Sequence, residues 1–510
     1  MMFSKLTTLG KICVITIIMA IVGTGLYYAG KNLTTSTGGS GKSLFSNNKY
    51  DATIMVNTYC GFEPIVWGNG GLEGTDDSYF FKKFGLKLKI IIMDDFEASR
   101  AALKNDEAQI AYCTLDALPV EMSANGTMTD MRYFMLLNFS AGADALVVNK
   151  SIETVNDLKG KRVAFAEGTA SHTLLINTLE TSGLSQSDIK MVKVGSGLEA
   201  RDAFTAKQVD AACVWAPDDE DCVKAVSGSK ILTSTAQASS LVTDGLIAKK
   251  EWLDKNFDKA KKIVEAILWA NSEIKYNKEA FKEGAAAFAK AFETDVDFAL
   301  ASSSKINYAT LADEANWMGI NTTYNGMTGE RIYKKMAMTY SGLGLCKSPL
   351  SWNKVAYTEI IESLLENNGL DNNQGETGTK AKAFTKPTTE METTEAISNK
   401  KVTINFPTAG YVIDNQARAI IDEEFVDIAQ QFSNVRIRVE GNTDNTGNYE
   451  TNIALSKKRA QAVVDYLVNE YGMDRNRFIV VGNGPKKAIA DNVNGPNEKY
   501  RRTDFNLIAD

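Results

Sequence analysis

Two charged side chains near the C-terminus have the types and spacing to hold a zwitterion. Asp444 lies in a turn-rich stretch after the alternating segment Arg436 to Glu440, which predicts a short strand. Arg459 follows in a helix that is predicted to open at about Ile453. A guanidinium binds a carboxylate through two parallel hydrogen bonds, and a carboxylate accepts from an ammonium. The pair can therefore hold both ends of one amino acid.

The same residues have an ordinary structural interpretation. An aspartate in a turn caps backbone N–H groups, and an arginine on an exposed helix face is simply solvated. The amide of Asn452 lies on the same predicted rim and can donate and accept. From spacing alone, both interpretations stay open.

The wider stretch carries a motif in three parts, which read GNTDNTG at 441–447, NIALSKKRA at 452–460 and YRR at 500–502. On these motifs, the segment Val402 to Ile508 resembles the OmpA-like peptidoglycan-binding domain. That resemblance implies that Asp444 and Arg459 grip the diaminopimelate of the peptidoglycan stem peptide. It assigns three further residues to the same site, namely Asn452, Arg501 and Arg502.

Two positions depart from the pattern of that family. Asn442 stands where a histidine is usual, and Tyr500 stands where an asparagine precedes the paired arginines. Both positions lie beside the gripping pair and not within it. The departures therefore bear on affinity more than on the class of ligand.

Length and composition set the broad class of the protein. A chain of 510 residues predicts about three domains. Its hydrophobic content of 44% and charged content of 23% are those of a folded globular protein. The net charge of −7 comes without any basic stripe, which argues against nucleic acid as a partner.

Cysteine and histidine usage argues against metal chemistry. The cysteines form no C-x-x-C pair and no zinc-ligand spacing, and His172 is the single histidine. We therefore predict no metal site and no cofactor. Cys213 and Cys222 are close enough in sequence to form a disulfide if the protein is exported.

The N-terminal region has the pattern of an export signal. Ile12 to Ala29 is an uncharged apolar run of eighteen residues, preceded by Lys5 and Lys11. As a helix it spans roughly 27 Å, just enough for a hydrocarbon core. No small-x-small cleavage site follows, which favours an uncleaved anchor over a cleaved signal peptide. Residues 1–30 are predicted to be a cytoplasmic tail and signal anchor, and residues 31–50 a flexible linker.

These features predict a single-pass inner-membrane protein with most of its chain in the periplasm of a Gram-negative-type envelope.

From Asp51 onward, short apolar segments alternate with amphipathic ones, which predicts an α/β fold. The chain runs out into a second unit and returns, which indicates two lobes with a hinge. We predict a two-lobed domain over residues 51–366, with its second lobe at about 146–248. The clearest predicted strands and helices are Ala52 to Asn57, Tyr79 to Phe84, Lys87 to Met93, Phe96 to Lys104, Ala108 to Tyr112, Ala145 to Val148, Arg162 to Phe165, Asp210 to Trp215, Gly245 to Lys249 and Asp258 to Tyr276.

Several short motifs in this region occur together, at 81–86 (FKKFGL), 157–161 (DLKGK), 168–172 (GTASH), 209–211 (VDA) and 215–217 (WAP). With them the segment from about Tyr50 to Leu365 is similar to type 2 periplasmic solute-binding proteins, in the branch that serves sulfonates, nitrate and thiamine-precursor pyrimidines. The resemblance implies that a small-molecule solute binds between the lobes, and that an ABC permease is the usual partner.

The solute would contact loops that follow strands. The turn from Gly168 to Ser171 opens a helix and is either an anion cradle or an ordinary capped helix start. The stretch from Trp215 to Asp221 offers an aromatic face and acids for a cation, or is a solvated acidic loop. The charge of the solute stays open. Candidate solute-binding residues are Tyr59, Thr114, Asp116, Thr169, Ser171, His172, Trp215 and Asp218.

Two segments complete the chain. Residues 367–400 are poor in apolar side chains and are predicted to be a disordered linker. Residues 401–510 are predicted to form an α+β domain whose first strand is Val402 to Phe406 and whose two helices pack on one sheet.

The combined prediction is a membrane-anchored periplasmic solute-binding protein, associated with an ABC transporter, that also binds peptidoglycan. The alternative is an envelope sensor or structural tether whose solute domain serves no transporter. No nucleophile–base pair, metal cluster or paired carboxylates with an obvious shared task are apparent, so catalysis is not predicted.

Overall fold

The computed structural model describes residues 49–366, 382–404, 406 and 410–508. Contacts divide the chain after Lys49, and the unit from Tyr50 to Asp510 holds the architecture that follows. The predicted signal anchor and most of its linker lie outside the described residues, as do residues 367–381. None of the described helices combines the length and the apolar character that a bilayer span requires.

The strands are β1 Ala52–Val56, β2 Leu88–Ile92, β3 Ile110–Thr114, β4 Met131–Ser140, β5 Asp144–Val148, β6 Arg162–Ala166, β7 Lys190–Val194, β8 Ala211–Trp215, β9 Lys230–Ser234, β10 Thr243–Lys249, β11 Ile306–Tyr308, β12 Ser398–Val402, β13 Arg436–Asn442, β14 Phe478–Gly484 and β15 Thr503–Ile508.

The α-helices are α1 Glu63–Asn69, α2 Tyr79–Phe84, α3 Phe96–Lys104, α4 Leu118–Glu121, α5 Ala170–Glu180, α6 Gly197–Thr205, α7 Asp218–Ala225, α8 Lys250–Lys255, α9 Phe257–Tyr276, α10 Lys278–Ala291, α11 Val296–Ser303, α12 Leu311–Trp317, α13 Gly329–Gly342, α14 Trp352–Val355, α15 Glu359–Glu366, α16 Asn415–Ile421, α17 Asp427–Gln431, α18 Tyr449–Tyr471 and α19 Lys486–Ala490. A π-helical turn, Asp422–Val426, joins α16 to α17.

The first lobe is built on a six-stranded sheet with the order β11-β4-β10-β3-β1-β2. Strands β3, β1 and β2 run parallel, whereas β10 and β4 are antiparallel to their neighbours. All five residues of β1 are buried, as expected for a continuous apolar strand with helices on both faces of its sheet. The parallel part of this sheet places β1 and β3 so that their carboxyl ends open toward one edge.

The second lobe is built on a five-stranded sheet with the order β7-β6-β8-β5-β9. The chain passes between the two sheets twice, from β4 to β5 and from β9 to β10. Strand β10 pairs with β3 and β4, so it belongs to the first lobe. The two-lobed α/β prediction is confirmed, but the second sheet spans Asp144 to Ser234, and the predicted boundary at 248 was too late.

The two faces of the second sheet explain why the predicted disulfide does not form. Cys213 on β8 packs with Phe165 and Leu175 on one face, whereas Cys222 on α7 packs with Ala212 and Val214 on the other. The sheet therefore separates the two sulfur atoms. Both thiols are free and buried, so the Cys213–Cys222 disulfide was wrong.

The C-terminal domain is a four-stranded sheet with the order β12-β15-β13-β14. The helical face from 415 to 431 contacts it through Phe425, whose ring stacks on Phe505 of β15 with centroids 3.8 Å apart. Helix α18 contacts β13 and β14. The side chain of Asn448 accepts from Thr451 N, so α18 begins four residues before the predicted Ile453 and carries Arg459 in its third turn.

The first strand of this domain lies earlier than predicted. Strand β12 pairs antiparallel with β15 along its whole length, and its first three residues fall within the predicted linker. Phe384 is also buried, with the guanidinium of Arg436 5.3 Å from its ring centroid. The part of the linker from 382 to 400 is therefore structured. Pairing with β15 determines the position of β12, which its polar sequence, SNKKV, did not indicate.

The C-terminal domain packs against both lobes. On the second lobe, Val155 N donates to Ile397 O at 3.0 Å, and Asn434 Nδ2 donates to Ala236 O at 3.0 Å. On α13, which contacts α4 of the first lobe, Arg331 pairs with Asp427 at 2.7 Å. The described part of the molecule is thus held together by contacts that involve all three parts.

Candidate functional site

A cavity of about 850 Å³ lies between the two lobes. Its walls come from the first lobe, the second lobe and the two chain crossings. The lining residues are Asn57, Thr58, Tyr59, Phe96, Glu97, Arg100, Ala101, Lys104, Tyr112, Thr114, Ala117, Glu121, Thr127, Asp144, Glu167, Gly168, Thr169, Ala170, Gly195, Trp215, Val242 and Asp244.

Two carboxyl groups occupy the crossings. Asp144 begins β5, opposite Trp215, and Asp244 is the second residue of β10, opposite Thr114. Each is only 6% exposed. The Oδ2 atom of Asp144 accepts from Ser140 Oγ at 2.7 Å. These two acids therefore lie where the chain passes from one lobe to the other.

Burial governs the ionisation of both groups. It raises the pKa of Asp144 to about 6, with the charge of Asp219 adding to the effect. It raises the pKa of Asp244 well above its ordinary value, and repulsion from Asp144 and Asp116 acts in the same direction. No lysine or arginine offsets either shift. The crossings thus carry two buried carboxyl groups, and no lysine or arginine among the described residues favours their ionised forms.

The cationic side chains of the wall do not balance this charge. Arg100 forms a two-point ion pair with Glu121, from Nε at 2.6 Å and from Nη2 at 3.0 Å. Its Nη1 donates to the carbonyl of Tyr112 at 2.9 Å. Lys104 is the other basic residue that lines the cavity, against the remaining acids Glu97, Asp144, Glu167 and Asp244. Glu167 is also paired, with Lys193 at 2.5 Å, so Glu97, Asp144 and Asp244 remain against Lys104 and the lining is acidic.

Aromatic rings form a further part of the lining. Tyr59, Phe96, Tyr112 and Trp215 all line the cavity, and the Phe96 and Tyr112 rings lie 5.4 Å apart. Gly197 allows the close approach of the Trp215 ring, since a Cβ atom there would lie 3.0 Å from it. Burial is the main cause that raises the pKa of the Tyr59 phenol, and the charges of Asp244 and Asp144 add to it. The phenol therefore keeps its proton and can donate a hydrogen bond.

Four of the predicted solute-binding residues line the cavity, and four do not. Tyr59, Thr114, Thr169 and Trp215 belong to the lining. The other four predicted residues are buried in the structure around the cavity. They are Asp116, Ser171, His172 and Asp218.

His172 supports the predicted cradle from behind. Its ring is fully buried and stacks on Phe165 with centroids 4.7 Å apart. Nδ1 accepts from Gly168 N at 3.1 Å, and Nε2 lies 3.1 Å from Gln186 Oε1. Because Nδ1 accepts, the proton lies on Nε2, and burial lowers the pKa of the imidazole. His172 thus shapes the Gly168 turn and does not line the cavity.

The acidic loop is largely paired within the protein. Asp218 lies 2.8 Å from Arg201 Nη1, and Asp219 lies 3.1 Å from Lys305 Nζ. Asp116 and Ser171 are fully buried, and burial raises the pKa of Asp116 to about 7. None of the acids that the sequence indicated lines the cavity.

Sequence reasoning missed Asp144 and Asp244. Each is a lone acid at the start of an apolar run, ADALVV for the first and TDGLIA for the second. A charged residue entering a buried strand is unusual enough to mark it as a candidate. Neither signal says that the two residues share one cavity.

The predicted peptidoglycan pair lies at one end of the C-terminal domain. Asp444 Oδ2 accepts from Asn497 N at 3.2 Å and lies 3.5 Å from Arg501 Nη1. Arg459 Nε donates to Gly410 O at 2.9 Å. Burial lowers the pKa of Arg459, the charge of Arg501 acts in the same direction, and Asp444 opposes them. One carboxylate and two guanidinium groups are therefore close enough to interact.

Close backbone packing positions this group. A Cβ atom at Gly441 would lie 2.1 Å from the carbonyl oxygen of Ser456, so only glycine lets β13 approach α18 this closely. Strand β13 leads to Asp444 and α18 carries Arg459. The glycine of the motif thus fixes the separation between the two elements that present the pair.

The remaining motif residues have mainly structural contacts. Asn452 Nδ2 donates to Thr446 O at 2.8 Å and ties the turn to the helix. Arg502 Nε donates to Asp504 at 2.8 Å. At the two departures from the family pattern, Asn442 is buried with its Nδ2 3.1 Å from Glu440 O, and Tyr500 donates its O–H to Asp491 at 2.6 Å. These four side chains support the site from its edges.

Among the described residues, no group of three or more His, Cys, Asp or Glu side chains is arranged to hold a metal ion.

Two α/β lobes joined by two crossings define the two-lobed periplasmic-binding fold. Residues 76–280 match the NMT1/THI5 like family, and residues 405–502 match the OmpA family. The chain therefore carries an NMT1/THI5-like solute-binding domain followed by a C-terminal OmpA domain. Both predicted resemblances are confirmed.

Similar proteins match the two domains separately. Outer membrane porin F of Pseudomonas aeruginosa is 38% identical over 80 residues, which are 16% of this chain and 23% of the porin. A putative aliphatic sulfonates-binding protein of Escherichia coli is 37% identical over 106 residues, or 20% of this chain and 32% of that protein. A putative binding protein of Brucella abortus is 22% identical over 292 residues, or 57% of this chain and 86% of its own length.

Solved structures with a similar backbone include binding proteins and an enzyme. The periplasmic aliphatic sulphonate binding protein SsuA from Escherichia coli has a TM-score of 0.48 at 18% identity, covering 61% of this chain and 98% of its own. The periplasmic nitrate-binding protein NrtA from Synechocystis has a TM-score of 0.48 at 13% identity, covering 64% and 90%. The desulfurization enzyme DSZB has a TM-score of 0.44 at 11% identity, covering 62% and 99%.

Proposed function

We propose that this protein binds a small solute between its two lobes and attaches non-covalently to peptidoglycan through its OmpA domain. The observation that carries the proposal is the cavity of about 850 Å³, whose lining combines both lobes and both crossings. A volume of this order suits a small organic molecule. The family matches support one role for each domain, solute binding for the first and peptidoglycan binding for the second.

The crossings suggest how the solute is captured. Asp144 and Asp244 lie at the ends of the two connections, so a rotation of one lobe against the other would pivot near them. Loops that carry Tyr59 and Thr169 would then close on a solute from opposite sides. Binding needs only this closure, and we propose no catalytic step.

At the other end, the pair Asp444 and Arg459 would hold the stem peptide of peptidoglycan. Asp444 would accept from the ammonium of diaminopimelate, and Arg459 would bind its carboxylate. Arg501, 3.5 Å from Asp444, would release this contact to take part in binding. Support for these roles comes from the OmpA family match and from the proximity of the three groups.

Both domain classes imply a location in the cell envelope. We further propose that Ile12 to Ala29 anchors the chain in the inner membrane, with the solute and OmpA domains in the periplasm. An ABC permease is the partner that we propose for the solute domain, on the basis of its resemblance to periplasmic solute-binding proteins.

A second candidate function is an envelope sensor or tether that feeds no transporter. It is favoured by the packing of the OmpA domain against both lobes. Ile397 and Asn434 contact the second lobe, and Asp427 contacts Arg331 on α13. A domain that contacts both lobes can respond to their closure. Solute uptake in a deletion strain separates the candidates, since lost uptake supports transport and normal uptake supports the sensor or tether.

Native mass spectrometry of the purified full-length chain tests the solute-binding role. We expect a small molecule to remain bound and to dissociate on denaturation. A protein that carries no molecule, and that no small molecule stabilises, would contradict the proposal. Sedimentation with purified peptidoglycan tests the peptidoglycan role separately.

A further inference from the structure

We infer that the cavity binds an organic cation, with a positively charged nitrogen seated between Asp144 and Asp244. The inference rests on the proposed solute-binding function and specifies its ligand class. It follows from the charge of the lining, the burial of the two acids and the aromatic composition of the walls.

The charged side chains that line the cavity do not balance one another. Glu121 is neutralised by Arg100 and Glu167 is paired with Lys193, which leaves Glu97, Asp144 and Asp244 against Lys104. Asp144 and Asp244 are each only 6% exposed, and neither has a cationic partner among the described residues. A buried carboxylate without a counter-charge is costly. A ligand that brings a positive charge would supply what the protein lacks there.

Asp116 adds to the same field from behind the cavity. It is fully buried between Thr114 and Ala117, which both line the cavity, and neither carboxylate oxygen has a hydrogen-bond partner in the described part of the chain. Its charge acts directly on Asp244. Three acids thus lie close together at the crossings, where a bound cation would favour their ionised forms.

The aromatic rings of the lining favour a cation independently of the acids. Tyr59, Phe96, Tyr112 and Trp215 line the cavity, and the faces of such rings attract ammonium and guanidinium groups. Anions gain nothing from ring faces and are repelled by the acids. The turn at Gly168 opens a helix whose positive end favours an anion, but the buried acids Asp144 and Asp244 line the same cavity. A bound sulfonate or nitrate would therefore gain few favourable contacts to offset its repulsion by the acids.

The test uses two panels of probes on the full-length protein. The cations are putrescine, agmatine and choline, and the anions are ethanesulfonate, methanesulfonate and nitrate. Thermal unfolding and isothermal titration calorimetry are measured with each. We expect at least one cation to raise the melting temperature and none of the simple anions to do so.

Asp144→Asn and Asp244→Asn keep the size of each side chain and remove its charge. Each should weaken cation binding at least tenfold, and Asp77→Asn, at an exposed position, should leave it unchanged. Circular dichroism confirms that each variant is folded.

The outcomes separate the inference from the function on which it rests. Stabilisation by an anion and by no cation would overturn the inference and leave solute binding intact. Cation binding that survives both substitutions would overturn the assigned position of the charge. An absence of binding by either panel, with no molecule bound after purification, would overturn both the inference and the proposed function.

Discussion

Arg331 on α13 pairs with Asp427 of the OmpA domain, with Nη2 and Oδ1 2.7 Å apart. One residue belongs to the solute-binding domain and the other to the domain that follows residues 367–381 in the chain. Nearby, Gln430 Nε2 donates to the carbonyl of Asn325 at 2.7 Å. The two domains therefore meet through specific polar contacts, and the strength of these contacts can be measured.

A double-mutant cycle of Arg331→Ala and Asp427→Ala measures the interdomain pair. Both side chains are more than a third exposed, so we expect a coupling free energy of about 0.5 kcal/mol. Thermal unfolding of the two single variants and the double variant provides it. Glu423→Gln, at an exposed position of the same helical segment, is the control. Strictly additive effects of the two substitutions would show that the domains do not rely on this pair.

The stability of the ligand-free protein should fall as pH rises from about 4 to about 7. Burial raises the pKa of Asp144 to about 6 and that of Asp116 to about 7, above the value of about 3.9 in an unfolded chain. The folded state binds these protons more tightly, so its advantage is complete below the unfolded pKa and is lost as pH passes the folded pKa.

Thermal unfolding between pH 4 and pH 8 checks this expectation. Asp116→Asn and Asp144→Asn should flatten the profile and raise stability at pH 8, by on the order of 3 kcal/mol for each. Asp77→Asn serves as the matched control on the surface. If the two variants have the same pH profile as the original protein, the carboxyl groups are not buried as described.

Loss of either member of the zwitterion pair should abolish sedimentation with purified peptidoglycan. Asp444→Ala removes the acceptor for an ammonium, and Arg459→Gln removes the cation that would bind a carboxylate while keeping a polar side chain. Arg475→Ala is the control, because this arginine pairs with Asp465 on the exposed surface of the same domain. Unchanged sedimentation of both site variants would refute the assigned role of the pair.

Cys213 and Cys222 should behave as buried thiols. Burial raises the pKa of Cys222 to about 12 and that of Cys213 well above its ordinary value, so neither forms a reactive thiolate near neutral pH. Iodoacetamide should modify both only after unfolding, without prior reduction. A requirement for reductant before labelling, or a change in intact mass on reduction, would show a disulfide instead.

The local sequence determined much of the secondary structure. Helices Tyr79–Phe84 and Phe96–Lys104 occur at the predicted residues. Ser78 and Asp95 cap their N-termini, and Gly85 ends the first with a positive φ. Such signals act within one or two turns and need no tertiary contact. The GNTDNTG and NIALSKKRA motifs identified the OmpA domain for a similar reason, since they are contiguous.

Only the tertiary structure decided which residues meet. The polar segment β12 forms a strand because its backbone pairs with β15. Cys213 and Cys222 are kept apart because a sheet lies between them. Asp144 and Asp244 share a cavity because two distant crossings run between the same two sheets. Side-chain burial and charge compensation depend on such non-local contacts. The sequence by itself determined the kinds of domain, whereas the folded structure decided that the cavity between the lobes is acidic.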